Sequence, residues 1–353
     1  MEKTSEYILE QLKHLMAIPS PSGYTKVASN YLVEELVNLG FEPQVTVKGG
    51  VVVKLCGEKE EDAIMLTGHL DTLGGMVAEV KTNGRIRVTP IGGLEANNIE
   101  TENCTIYTHE GMGYTGTFQM NDPSVHVNKE YKTLPRNFEG MEVVIDEKVS
   151  TKEETEALGI AVGSYICFEP RTIITESGFI KSRFLDDKLS VAIMLGYAKQ
   201  VSEMQEKPKR TVYIHFTVYE EVGHGGAASV PQGVTEMLAV DMGCVGEGLT
   251  CTEQMVSICV KDSRGPSDYE MVKKLIQICK DNKLQYAPDV YPFYASDVDV
   301  ALMSGHDVRH ALIGPGVYAS HGYERSHVDG VLNTLVLIQK YVELWEKCNG
   351  SRG

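Results

Sequence analysis

The chain has 353 residues, enough for one large domain or two smaller ones. With 42% hydrophobic and 23% charged residues it has the composition of an ordinary soluble globular protein. Its 49 acids against 33 bases leave a formal charge of −16, which argues against nucleic acid or an anionic membrane as a partner.

The N-terminal segment carries Ile8, Leu9, Leu12, Leu15 and Met16 at helical spacing, predicting a helix over 4–17 that stops at Pro19 and Pro21. Its charges run throughout, unlike a signal peptide, and no apolar run reaches the roughly 18 residues of a membrane span. The cysteines are scattered with no CxxC pair, so they read as buried thiols of a reducing compartment, and the protein as cytoplasmic. A second helix is expected over 24–39, then a hairpin turning at Gly49 and Gly50. AIMLTGHLDT reads as a buried central strand that opens into a polar loop.

From about residue 73 the segments become short and strand-like, with turn signals at Asn83–Gly84 and Gly92–Gly93 and a charged stretch at 150–158. This predicts a small all-β insert over 73–171, with RTIITESGFIKS the last of its strand-like segments. Helix and strand then alternate again: a buried helix in LSVAIMLGYAKQV, strands in TVYIHFTVY and MLAVD, an amphipathic helix in DYEMVKKLIQICKDN, a short strand in DVRHALIGP and a closing helix in NTLVLIQKYVELWEK. The expectation is one α/β domain, residues 1–72 and 172–353, split by the β insert.

Five blocks carry acids or imidazoles at the ends of apolar runs or in Gly-rich loops, where open α/β sheets build their sites. His69 and Asp71 lie two apart at a strand mouth, so period-two geometry points both to one side. An imidazole ligand needs a partner for its far nitrogen, which Asp71 could supply. Asp186 and Asp187 precede a buried helix, where one could cap and the other ligate. Glu220 and Glu221 follow the strongest strand; buried together they would repel unless a cation were present, and a hydrolase needs a general base beside its metal. His224 reads as a turn residue. Asp241 ends a short strand. His321 and His327 flank GYERS, and either could ligate while the other caps the last helix or touches substrate. Asp297 and Asp299, in a polar loop, could face the same cleft, although surface acids are the default reading. The remaining histidines read as structural. Together these are the ligand types of a two-metal hydrolytic site.

In this order the blocks IPSPSG, GHLDT, FLDDK, YEEVGHGGA, AVDMG, YASDVD and SHGYERSH resemble the tetrahedral (TET) dinuclear-zinc aminopeptidases, the glutamyl and deblocking aminopeptidase family, some of whose members are labelled endoglucanases. The resemblance implies a phosphorylase/hydrolase-like mixed sheet flanked by helices, with a PDZ-like β-barrel insert that supports assembly and access. It implies two divalent cations, zinc foremost with cobalt or manganese as alternatives, held by His69, Asp186, Glu221, Asp241 and His321. Asp186 would bridge the cations, Asp71 would orient His69, Glu220 would be the general base, and Asp297 and His327 would contact substrate. The partners implied are a peptide substrate and further copies of the chain, as dimers assembling into a dodecamer. Three departures stand out: Lys188 where the family often has Arg, His224 where an apolar residue is usual, and SHGYERSH where His-Ser-Pro is usual. The last resembles a divergent branch associated with a blocked glutamine-peptide osmolyte. A related carboxypeptidase or deacylase, or a specialised hydrolase of a small blocked peptide, is the alternative activity. A silent peptide-binding scaffold is the alternative class, and a single Trp argues against a polysaccharidase.

Overall fold

The computed structural model describes residues 2–57, 59–208 and 210–349. In chain order, α1 (Glu2–Ala17), α2 (Lys26–Asn38) and the paired strands β1 (Gln44–Val45) and β2 (Val51–Cys56) lead into the long β3 (Lys59–His69). β3 is buried on both faces because it lies between two other strands, β12 (Arg210–Thr217) and β13 (Val234–Val240), to be placed below. Its side chains alternate: Ile64 and Leu66 join one core, Ala63 and Met65 another on the opposite face. This is why the sequence reads as a continuous apolar run rather than an alternating one.

The chain then leaves the sheet. β4 (Gly74–Val80), β5 (Ile86–Ile91), β6 (Asn103–Tyr107), β7 (Gly113–Met120), β8 (Met141–Ile145) and β9 (Tyr165–Phe168), with the one-and-a-half-turn α3 (Lys152–Ala157), form a closed barrel in the order β4-β5-β8-β7-β6-β9. Val77, Ile86, Val88, Ile106, Phe118, Val143 and Ile166 fill a core of its own. A closed barrel leaves no exposed sheet edge. α3 is the charged stretch at 150–158, and Thr151 and Glu154 form a capping box at its start.

RTIITESGFIKS departs from expectation. Its strands β10 (Ile173–Ile174) and β11 (Phe179–Ser182) belong to the large sheet, not to the barrel, because β11 finds its partner in the terminal His segment. α4 (Leu185–Glu203) follows, then β12, β13, β14 (Gly243–Val245), β15 (Val256–Lys261), α5 (Tyr269–Asp281), β16 (Tyr286–Val290), α6 (Asp297–Met303), β17 (Arg309–Tyr318), β18 (Glu324–His327) and α7 (Val328–Asn349). Among the described residues the large sheet has 12 strands, with β1-β2-β12-β3-β13-β17-β18-β11-β10 as its main path and β14, β15 and β16 branching from β17. The β12-β3-β13-β17 centre is parallel and the flanks are antiparallel. α1, α4, α5 and α7 contribute to the core on one face, and α6 to that on the other.

Three further expectations are corrected. YASDVD is not a polar loop but the entry to α6, because Ser296 and Asp299 form a capping box there. SHGYERSH is half strand, with β18 paired to β11. β15 and β16 pair in parallel around α5, in segments too short to have stood out as strands. No disulfide joins Cys56, Cys104, Cys167, Cys244, Cys251, Cys259 or Cys279; Cys348's side chain lies outside the described residues. No described helix is long and apolar enough to cross a membrane.

Lys188, in the first turn of α4, is buried and donates from Nζ to the carbonyls of Leu15 (2.8 Å) and Ile18 (2.7 Å), tying down the end of α1. Burial lowers its pKa from 10.5 to about 7. The unfolded chain therefore binds more protons than the folded one between about pH 7 and 10.5, so this lysine makes stability rise with pH across that window. Urea denaturation of wild type and Lys188→Met from pH 7 to 10 should show a steeper rise in wild type; parallel curves would count against a depressed pKa at Lys188.

Candidate active site

The carboxyl ends of the three central parallel strands deliver most of the site. His69 is the last residue of β3, Glu220 and Glu221 follow shortly after β12, and Asp241 follows β13 directly. Register places Thr217 beside His69, so both strands end at one level. This is the crevice outside the strand ends where open α/β sheets bind ligands.

His69 is buried and anchored at both nitrogens. Nδ1 lies 2.7 Å from the carbonyl of Asp71, and Nε2 lies 3.0 Å from Asp186 Oδ1 and 3.7 Å from Glu220 Oε2. The Asp71 contact is thus made by its main chain, and its carboxylate is 3.9 Å from Nδ1. That carboxylate instead accepts the Ser22 hydroxyl and the Glu220 N–H, the latter at 3.1 Å. Asp71 therefore fixes the backbone of the acid pair as well as the imidazole.

Asp186 and Asp187 open α4 with non-helical dihedrals and a cis peptide between them. Neither caps the helix. Asp186 offers Oδ1 to His69 and lies 3.5 Å through Oδ2 from His321 Nε2, so one carboxylate spans two imidazoles. Asp187 accepts the His69 N–H at 3.1 Å through Oδ2, while its Oδ1 is buried with no hydrogen-bond partner within bonding distance among the described residues. His321, in a left-handed conformation (φ 62°), points Nε2 at Asp186 and at Glu221 Oε2, 3.7 Å away. Its Nδ1 lies 3.2 Å from the carbonyl of Gly93. A Cβ at Gly93 would stand 2.7 Å from that nitrogen, so the glycine permits the approach.

Electrostatics sets Asp186 apart. Burial opposes its charge, but hydrogen bonds to His321 and His69 hold its pKa below the usual carboxylate range. Burial drives its neighbours the other way: Asp187, Glu220 and Glu221 are raised well above their ordinary values, and Asp241 is pushed up to about 7. Burial lowers the affinity of His321 for a proton, yet Asp186, Glu221 and Glu324 outweigh it and raise the pKa to about 10. Two imidazoles cannot compensate this many acids. The donor set fits divalent cations: oxygen and imidazole ligands, buried, with an orphan oxygen on Asp187. His69, Asp187 and Asp241 have ligand atoms within 4.8 Å of one another, as do His69, Asp186 and Glu221.

The site opens into a cleft of about 810 Å³ lined by Asp186, Glu220, Glu221, Asp241 and His321, with Phe293, Tyr294, Val300 and Met303 on one side and Gly93, Glu95 and Asn98 from the barrel connection on another. A second cavity of about 260 Å³, at the seam between α1 and the barrel, holds none of these ligand-type residues. His224 lies exposed at the rim.

Two residues expected to meet substrate have other engagements. Asp297 is buried, not a surface acid, and its two oxygens accept the Thr217 hydroxyl and the Gly226 N–H. His327 packs on Phe179, with Nε2 2.9 Å from the Ser177 carbonyl and Nδ1 accepting the Asp329 N–H. The structure brings His321, and not His327, to the acids. Asp299 is also buried, at 6% exposure, and holds the N-terminus of α6.

Sequence reasoning missed Glu324 and the barrel connection. Glu324 is buried and accepts the N–H of Asp186 (3.1 Å) and of His321 (2.9 Å), yoking two site residues to β18. Burial raises its pKa to about 8. An acid three residues after His321 was the signal that could have found it. Gly93 and Asn98, whose side-chain amide donates to the His321 carbonyl at 3.2 Å, carried none.

Comparison with known proteins agrees with this geometry. The profile of the M42 glutamyl aminopeptidase family matches residues 49–337. The putative aminopeptidase YhfE of Bacillus subtilis is 44% identical over 95% of this chain and 97% of its own. Among solved structures, an aminopeptidase from the archaeon Desulfurococcus kamchatkensis superposes with a TM-score of 0.85 at 24% identity, covering 96% of this chain and 95% of that one. The TET1 peptidase of Pyrococcus horikoshii, described as assembling into a tetrahedron or a large octahedral shell, superposes at 0.83 with 19% identity over 94% and 98% of the two chains. The chain belongs to the M42 family of metal-dependent peptidases.

Proposed function

We propose that the protein is an aminopeptidase that hydrolyses the N-terminal peptide bond through a pair of divalent cations, zinc foremost, with Glu220 as general base. The observation that carries this reading is Asp186: one carboxylate between two imidazoles, kept ionised while the acids around it are driven towards protonation. That is the electrostatic position of a bridging ligand. His69 and Asp241 would complete one cation's set, Glu221 and His321 the other's. Asp187, at the back of His69, holds the backbone that presents the imidazole. Bound there, divalent cations supply a Lewis acid for the scissile carbonyl and lower the pKa of water.

The protein's own contribution is to orient and to move protons. Glu220 lines the cleft, and its backbone is pinned by Asp71. A buried carboxylate in that place accepts a proton from the attacking water and returns it to the leaving amine. The His69 Nδ1 contact with the Asp71 carbonyl and the His321 Nδ1 contact with the Gly93 carbonyl leave each Nε2 as the ligating nitrogen. We further propose that residues 73–171 serve assembly and access, and that the chain forms a homo-oligomer built from dimers, up to a dodecamer; the structural likeness to the TET1 peptidase supports this. Cysteines left as thiols fit a reducing, cytoplasmic setting.

The deciding assay is a panel of short peptides, free and N-acetylated, with zinc, cobalt or manganese and a chelator control. Chelator-sensitive release of the first residue from free peptides alone is expected. Turnover confined to acylated or amide-capped substrates would move the reading to a specialised deacylase or blocked-peptide hydrolase. Glu220→Gln should lose about 10²–10⁴-fold in kcat with metal content unchanged by elemental analysis; a metal-free variant would sink the general-base role. Asp241→Ala should retain one cation where wild type holds two, and retention of both would remove Asp241 from the ligand set.

A further inference from the structure

Asp297 and Lys48 are absorbed by none of the roles above, yet both act on one short loop. The segment between β12 and β13 carries Glu220 and Glu221 on single turns only, Glu220–Val222 and Gly225–Ala227. Such a loop does not fix a side chain by its own hydrogen bonds. Asp297 grips it on both sides of the acid pair, accepting the Thr217 hydroxyl where β12 stops and the Gly226 N–H (2.6 Å) at the middle of the loop. The approach is close enough to dictate sequence. A Cβ at Gly225 would lie 2.1 Å from Asp297 Oδ1, and one at Gly226 would lie 2.0 Å from the Asp297 carbonyl oxygen. Lys48, from the turn between β1 and β2, donates from Nζ to the carbonyls of His224 and of Gly225, the latter at 2.8 Å. The His224 carbonyl also accepts the Ala227 N–H at 3.4 Å within the turn, so Lys48 adds a tie from outside the loop to one from within it.

We infer that Asp297 and Lys48 are positioning residues, clamping the loop from α6 and from the β1–β2 turn so that Glu220 stands where the proton must be taken. With the Asp71 contact to the Glu220 N–H, the loop is held at its start and at its middle, on either side of the acid pair. This rests on the reading of Glu220 as general base. It also gives the buried, doubly occupied Asp297 a part in the reaction that does not require it to touch substrate.

The test uses the metal-loaded full chain. Lys48 is half-buried on a turn, so its substitution spares the core. In Lys48→Met, amide hydrogen exchange over residues 218–228 should quicken by about tenfold while β3 and β13 keep wild-type protection. With free peptide as substrate, kcat should fall by about tenfold with KM within about twofold and metal content unchanged, since a displaced base costs turnover more than binding. Lys48→Arg, which keeps a cation donor, should recover most of the loss. Asp297→Asn should show the same local exchange change. Unaltered exchange in the loop for both Lys48→Met and Asp297→Asn overturns the clamp. Faster exchange spread over the whole sheet overturns it in favour of a general stability role. Local loosening with unchanged kcat overturns the positioning role. If wild type cleaves no free peptide, the reading of function fails instead, and the exchange data still decide the clamp.

Discussion

The structure is organised around a repulsion. Asp71, Asp186, Asp187, Glu220, Glu221, Asp241 and Glu324 are brought together with only two imidazoles among them, most of them buried and Glu220 and Glu221 half-buried on the wall of the cleft. Burial pushes the pKa of each of these carboxylates except Asp186 upward, and neighbouring acids push Asp187, Glu220, Glu221, Asp241 and Glu324 further. A fold retains such a concentration when the backbone is held by independent interactions and the charge is relieved, by protonation or by a cation. Much of the local architecture meets the first condition. Ser22, Glu324 and Lys48 each commit a hydrogen bond to fixing a site residue or its loop.

The parallel centre of the sheet explains why the acids converge. Three neighbouring strands that run the same way must all end on the same side, so whatever follows them is gathered without long-range coordination by loops. The antiparallel flank complements this convergence. There β18 turns back beside β11 and carries His321 and Glu324 to that edge from the far end of the chain. Two cores on opposite faces of β3 stiffen the platform, so the strand ends share one rigid reference.

Much of this was legible in the sequence because apolar strands ending in acids leave a pattern that does not depend on tertiary contacts. TVYIHFTVYEE and AIMLTGHLDT announce strand, exit and chemistry together. The barrel was legible as a change of rhythm, short strands punctuated by glycine turns. What was not legible depended on partners distant in sequence. β11 joins the large sheet because of β18, nearly 150 residues later, and no local signal separates it from the barrel strands before it. YASDVD reads as polar until the capping box shows its polar groups turned inward to start a helix. Asp297 and His327 have the residue types of a substrate contact, but side-chain satisfaction is decided by neighbours. Thr217 and Gly226 occupy the one, Ser177 and Asp329 the other. The choice between His321 and His327 likewise rests on β18 pairing, which turns His327 towards Phe179.

The contact between the Gly93 carbonyl and His321 Nδ1 bears on how this architecture can be recombined. Gly93 lies just past β5, within the chain excursion that builds the barrel, while His321 lies in the turn between β17 and β18 of the large sheet. The barrel excursion therefore contributes one of the groups that orient His321. In a chimera that exchanged the barrel for that of a relative, the Gly92–Gly93 corner would have to come across in register with the imidazole, whatever the rest of the graft looked like. Loss of that corner would misdirect the histidine, so compatibility between barrel and body extends to a main-chain oxygen that no side-chain comparison would reveal.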